Sequence, residues 1–412
     1  LLVPLVAASC VRDSQLPGPI AGHGGAGASG HSGAGSGGAG SGGAGAGGAG
    51  SGGAAGTAGA PSVPSLDAEQ LLASSCRLDV LEAQLLPANM LFVIDRSGSM
   101  ACNPPPITDS ATCERDAKRA SPDPSKWEIT QTALVETLKI LPEASRVGVS
   151  YFSNDDACGV QASPTVLIAA NRPAQKDLIR TSLSTVKPSG ATPLVGATIL
   201  AYQHMFDQAR DGFLSGNNFV VLITDGKQSD ACGDPGQCTT AEECTKLLID
   251  KEVPRAAAPG VGIRTFVIGV PGSELDRRTL SHIALAGGTP RPNCEPDKNC
   301  HFDVSSGGDF RADLGEALKS IVGQSLSCDL PVPTSNKEDL TNLVNVLYKP
   351  QNRERVLVRQ DTTHPCDAGA NGWQYVRNNT RIRLCGDICT QVKSDPGGQL
   401  AVVLGCPIQG PI

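Results

Sequence analysis

An apolar run that stops abruptly at a hydroxyl-rich turn most constrains this chain. It is Met90 to Met100, MLFVIDRSGSM. Short apolar runs closed by a Gly turn read as buried strands. The end of the run therefore places Asp95, Ser97 and Ser99 on a tight loop at the strand's C-terminal tip. In open α/β sheets that tip is where ligands bind. One carboxylate and two hydroxyls converge there. All are hard oxygen donors that suit Mg²⁺, Mn²⁺ or Ca²⁺, and with no His or Cys they suit Zn²⁺ poorly.

Asp, Ser and Gly are also ordinary turn residues, so the triplet alone is a weak signal. Two further stretches strengthen it. Ser189-Gly190-Ala191-Thr192-Pro193 supplies a Thr on a Gly-containing loop before a helical pattern. Phe219 to Gly226, FVVLITDG, is a second buried strand ending in Asp225. In order and spacing, the triplet, the Gly-x-Thr-Pro loop and the Thr-Asp-Gly strand end resemble the von Willebrand factor type A family, over about residues 89–324. The resemblance implies a metal-ion-dependent adhesion site at Asp95, Ser97, Ser99, Thr192 and Asp225. It implies direct coordination by Ser97, Ser99 and often Thr192, with Asp95 and Asp225 holding the ion largely through water. Neutral hydroxyls around a dication leave it electrophilic, and an Asp or Glu of a partner protein is the natural sixth ligand of an octahedral Mg²⁺. The implied activity is cation-dependent protein binding, not catalysis.

Alternation of strand and helix patterns across 89–324 predicts a doubly wound, mostly parallel sheet with helices on both faces. Strands are expected at Met90–Asp95, Arg146–Phe152, Asn218–Thr224 and Ile263–Gly269, with Pro164–Ala169 as an antiparallel edge and His301–Val304 as a short last strand. Helices are expected at Lys126–Ile140, Ala174–Thr185, Thr192–Arg210, Ala241–Lys251, Asp276–Ala284 and Phe310–Gln324.

The flanks read differently. Residues 1–20 hold a signal remnant whose Ala7-Ala8-Ser9-Cys10 resembles a bacterial lipobox, so Cys10 is expected to carry a lipid anchor. Residues 21–60 are almost wholly Gly, Ala and Ser, a disordered tether. Its r.m.s. reach is roughly 35 Å by random-coil scaling. Residues 61–88 form a pre-domain segment, read as a helix followed by an edge strand. Residues 325–412 form a small β-rich C-terminal segment in which Trp373 and Tyr375 read as core anchors, with a binding face as the alternative.

A net charge of −7 argues against a nucleic-acid partner. No run of 18 apolar residues occurs, so any membrane attachment is through the lipid. These features place the chain outside the cell, at the envelope. Fifteen Cys fit that oxidising setting. Local disulfides are expected for Cys102–Cys113, Cys294–Cys300 and Cys385–Cys389. Zinc clusters are disfavoured by the lack of a C-x₂-C pair. His204, His282, His301 and His364 have no partner at ligand spacing. The competing functions are a structural subunit whose ion only holds loops, and a metal-assisted hydrolase that lacks a general base other than Asp225.

Overall fold

The computed structural model describes residues 66–410, apart from 78, 84, 156, 234–237, 306–307, 333–341, 367–368 and 396–397. The expected lipidation at Cys10 and the tether over 21–60 lie outside the described residues.

The described residues open with α1 (Ala68–Ala73) and β1 (Asp79–Ala83), then enter the long strand β2 (Ala88–Asp95). A 3₁₀ turn, Gly98–Ala101, leads to α2 (Ser110–Arg115), α3 (Lys126–Ile140), β3 (Arg146–Phe152) and β4 (Val166–Ala170). Next come α4 (Pro173–Thr185), α5 (Leu194–Arg210), β5 (Asn217–Thr224), α6 (Ala241–Leu247), α7 (Val253–Ala257), β6 (Ile263–Gly269) and α8 (Arg277–Ala286). The unit closes with β7 (Phe302–Asp303) and α9 (Phe310–Ser325). Beyond it lie β8 (Asp329–Pro331), β9 (Val344–Lys349), β10 (Val356–Val358), β11 (Gly372–Val376), β12 (Arg381–Cys385), α10 (Gly386–Ser394) and β13 (Gln399–Leu404).

The central sheet has the order β4-β3-β2-β5-β6-β7, parallel except for the edge strand β4. Every residue of β2 is buried. Side chains alternate across a strand, so Met90, Phe92 and Ile94 enter one apolar layer with Trp127, Leu134, Ile179 and Leu318. Leu91 and Val93 enter the other, with Ala201, Met205, Leu248 and Ile283. This two-sided burial is why the strand reads as a continuous apolar run.

The helix expected over Ala241–Lys251 is interrupted. It ends at Leu247, widens into a π turn over Leu248–Glu252, and resumes as α7. Pro254 supplies the reason, since it has no N–H to donate and its ring crowds the carbonyl four residues back. Helix α5 begins at Leu194 with Pro193 as its cap residue, so Thr192 stays on the loop.

The pre-domain segment and the C-terminal segment form one unit. Strand β1 pairs antiparallel with β13, and that sheet runs β1-β13-β9-β10. The second sheet is β11-β12-β8. Trp373 lies fully buried between the sheets' apolar faces, edge-on to Tyr375 at 5.1 Å, so these two are core anchors. Three disulfides tie this unit: Cys76–Cys406, Cys328–Cys389 and Cys366–Cys385. The expected Cys385–Cys389 pair is therefore replaced. Cys385 ends β12 and Cys389 lies on α10, and each bonds a cysteine brought in by tertiary packing instead of its sequence neighbour. Elsewhere Cys102 bonds Cys113, Cys158 bonds Cys232, Cys238 bonds Cys244 and Cys294 bonds Cys300. Among the described residues every cysteine is in a disulfide.

Candidate metal centre

The site forms where the sheet's connections diverge. Strand β2 lies between β3 and β5, and all three point the same way. The β2 connection leads into α3, which packs on one side of the sheet, while α5, which precedes β5, covers the other. Such a switch point leaves a crevice at the strand ends.

Three loops close over it, joined through their backbones. Arg96 N donates to Phe152 O at 2.6 Å, Ser189 N to Arg96 O at 2.7 Å, and Gly98 N to Gly190 O at 3.0 Å. The Arg96 guanidinium extends the clip, donating to the carbonyls of Ser153, Lys187 (2.7 Å) and Asp155 (2.8 Å). Gly190 has φ +83°, and a Cβ there would lie 2.1 Å from Ser153 Oγ. The approach of the Thr192 loop to the Ser153–Ala157 loop thus requires glycine at that position.

Within this frame Asp95 is fully buried. It accepts from Ser97 N at 2.8 Å through Oδ1 and from Thr224 Oγ1 at 2.7 Å through Oδ2. Burial, and then the neighbouring Asp225 charge, push its carboxyl up to about 7 against those hydrogen bonds. Ser97 Oγ and Ser99 Oγ lie 3.1 Å apart. Thr192 is buried, and its loop is fixed from below. Its N–H donates to Ser229 Oγ at 3.0 Å, its carbonyl accepts from Ser229 N at 3.0 Å, and Gln228 Oε1 accepts from Val195 N at 2.9 Å. Asp225 is 4% exposed and receives a hydrogen bond from Lys126 Nζ on Oδ2 at 2.5 Å.

The fold therefore carries Asp95, Ser97, Ser99, Thr192 and Asp225 on three adjoining loops at one end of the sheet. Among the described residues no group of three or more His, Cys, Asp or Glu is arranged to hold a metal. The donor set is instead hydroxyl-dominated, with two buried carboxylates to balance charge. That chemistry fits a hard, oxygen-seeking dication such as Mg²⁺.

The sequence did not reveal the roles of four contributors. Thr224 orients Asp95, Ser229 and Gln228 brace the Thr192 loop, and Lys126 pairs with Asp225. Lys126 follows the cap Ser125 and opens α3, where nothing local distinguishes it from a surface lysine. Only the packing of α3 against the β5 and β6 ends reveals it.

Among the described residues the histidines stay out of the site. His301 is buried in the core with Nδ1 2.9 Å from Ser281 Oγ, and His282 Nε2 meets Asp297 at 2.7 Å.

The sequence profile of the von Willebrand factor type A domain matches residues 89–312. Among solved structures the chain is similar to the pilus adhesin SpaC from Lactobacillus rhamnosus GG, at 13% identity and a TM-score of 0.40, over 80% of this chain and 40% of that one. It is also similar to a von Willebrand factor type A protein from Catenulispora acidiphila, at 12% identity and a TM-score of 0.36, over 81% of this chain and 65% of that one. The chain thus covers less than two thirds of either neighbour. No curated protein matches it.

Proposed function

The chain belongs to the von Willebrand factor type A domain family, and from that premise we propose that it is a non-enzymatic, cation-dependent protein-binding module of the cell envelope. Its ligand is a protein presenting Asp or Glu, and its cofactor is a divalent cation, most simply Mg²⁺. Ser97, Ser99 and Thr192 would hold the ion, with Asp95 and Asp225 balancing its charge. A bound ion supplies an electrophilic position open to a carboxylate. The observation that carries the reading is the hydroxyl-dominated donor set, with the loops bearing Ser97, Ser99 and Thr192 clipped together by Arg96 and Gly190.

The surroundings suit binding. Cys102–Cys113 and Cys158–Cys232 restrict loops on this face, which lowers the ordering cost of association. Leu275 is 92% exposed, on the same loop as Pro271, which accepts from Lys126 beside Asp225. An exposed Leu on that loop offers a partner an apolar contact. Hydrolysis is disfavoured because Asp225, the candidate base, already gives one oxygen to Lys126. Among the described residues no helix is long and apolar enough to cross a membrane, and attachment through a lipid on Cys10 is the anchor we propose.

A pull-down from envelope extract tests this. A partner retained in Mg²⁺ and released by EDTA is the expected result. A partner retained equally in EDTA contradicts cation dependence.

A further inference from the structure

Lys126 is the member of the site that a simple dication cradle does not call for. Its side chain is 3% exposed, and its ammonium has two acceptors, Asp225 Oδ2 at 2.5 Å and Pro271 O at 2.7 Å. It is the first residue of α3, the end of a helix where a cation is disfavoured. Burying a charge there is costly unless it is well paired, and apolar side chains in place of the whole Lys126–Asp225 pair would fill the space at lower cost.

The surroundings are shaped to admit it. The Ser125–Glu128 capping box and the Lys126 N–H donating to Cys102 O at 2.8 Å fix where α3 begins. Opposite, Gly272 has φ +120°. A Cβ there would meet Asp225 O at 2.6 Å and Lys126 Nζ at 3.3 Å. A helix start, a glycine and a carbonyl together form a socket for one ammonium beside Asp225.

We propose that Lys126 is the resident counter-cation of this site, holding Asp225 in place when no divalent ion is bound and opposing the ion when one arrives. The competition half rests on the reading that the site takes a divalent ion. The consequence is a site that keeps its shape without metal and binds metal weakly on its own. With the ion bound, two carboxylates face three positive charges, and the excess is matched by a ligand carboxylate. Ion and acidic partner should therefore bind cooperatively, each strengthening the other by the same factor.

The test compares wild type with Lys126→Met, of similar length but uncharged, and Lys126→Arg, which keeps the charge. Thermal unfolding is measured in EDTA, and Mg²⁺ alone is titrated by calorimetry. The expected result is that K126M melts below wild type in EDTA and binds Mg²⁺ at least tenfold more tightly, while K126R stays within a few-fold of wild type. If K126M folds only with Mg²⁺ present, the same substitution of one cation for another is seen in its strongest form. Equal or weaker Mg²⁺ affinity in K126M, with wild-type binding intact, overturns the role of Lys126 alone. No Mg²⁺ response in any of the three proteins overturns the metal reading, and the competition with it.

Discussion

The two halves of this molecule hold themselves together by different means. The von Willebrand factor type A unit has a six-stranded sheet covered by helices on both faces and two apolar layers. The β unit has sheets of four and three strands, one main apolar cluster, and three disulfides that link its distant parts. A large core supports a fold without staples, whereas a small one needs them. In the first unit, disulfides such as Cys102–Cys113 and Cys158–Cys232 instead lie on the loops around the candidate site. There they set loop shape, while in the β unit they carry stability.

The largest effect should come from removing Cys76–Cys406, which spans 330 residues. Chain-entropy reasoning puts the loss at roughly 4–6 kcal/mol for the C76S/C406S pair, less where the folded inserted unit already shortens the loop. Scanning calorimetry should show the β unit melting early and the other unit nearly unmoved. A uniform shift of both would mean that the two halves are one cooperative body. Opening Cys102–Cys113 should cost less, because it closes only 11 residues.

Acid should act on the helical unit through His301. Burial drives the His301 pKa down to about 4 from 6.5, against an opposing pull from Asp303. Between those values the unfolded chain binds more protons, so the stability is present above 6.5 and lost as pH falls towards 4. The full loss is about 3 kcal/mol. Urea unfolding followed at pH 7 and pH 5 should show it, and His301→Asn should flatten the slope.

Gly190→Ala comes next, at roughly 1–3 kcal/mol for a strained left-handed position. It should also displace the Thr192 loop, so Mg²⁺ binding should weaken beyond what the stability loss explains. Leu275→Ala is the smallest. An exposed side chain should change unfolding by less than about 0.5 kcal/mol, yet partner capture should weaken if the loop contributes to recognition.

The two halves also differed in how far their sequences could be read. Strand β2 announced itself because burial on both faces leaves no polar interruption, and the ends of β3 and β6 fell where Phe152 and Gly269 close their runs. Asp95, Ser97, Ser99, Thr192 and Asp225, the residues proposed for the site, could be named because three short motifs keep their residues close in sequence. What escaped depends on contacts between segments far apart. Lys126 and Asp225 are 99 residues apart, and Cys328 and Cys389 are 61 apart. The union of β1 with β13 was hidden for the same reason, since no local pattern says which edge a lone strand will join. Pro254, whose missing N–H marks the π turn, and Asp109, which caps α2, are local signals the expected elements did not use.

Calorimetric titration of Mg²⁺ into wild type and into the Ser97→Ala/Ser99→Ala double variant tests the central claim most directly. These substitutions remove two oxygens and leave both carboxylates and Lys126 in place. The expected result is a saturable heat for the wild type that vanishes in the variant while its unfolding transition in EDTA persists. Equal heats from the two proteins would show that these hydroxyls hold no ion.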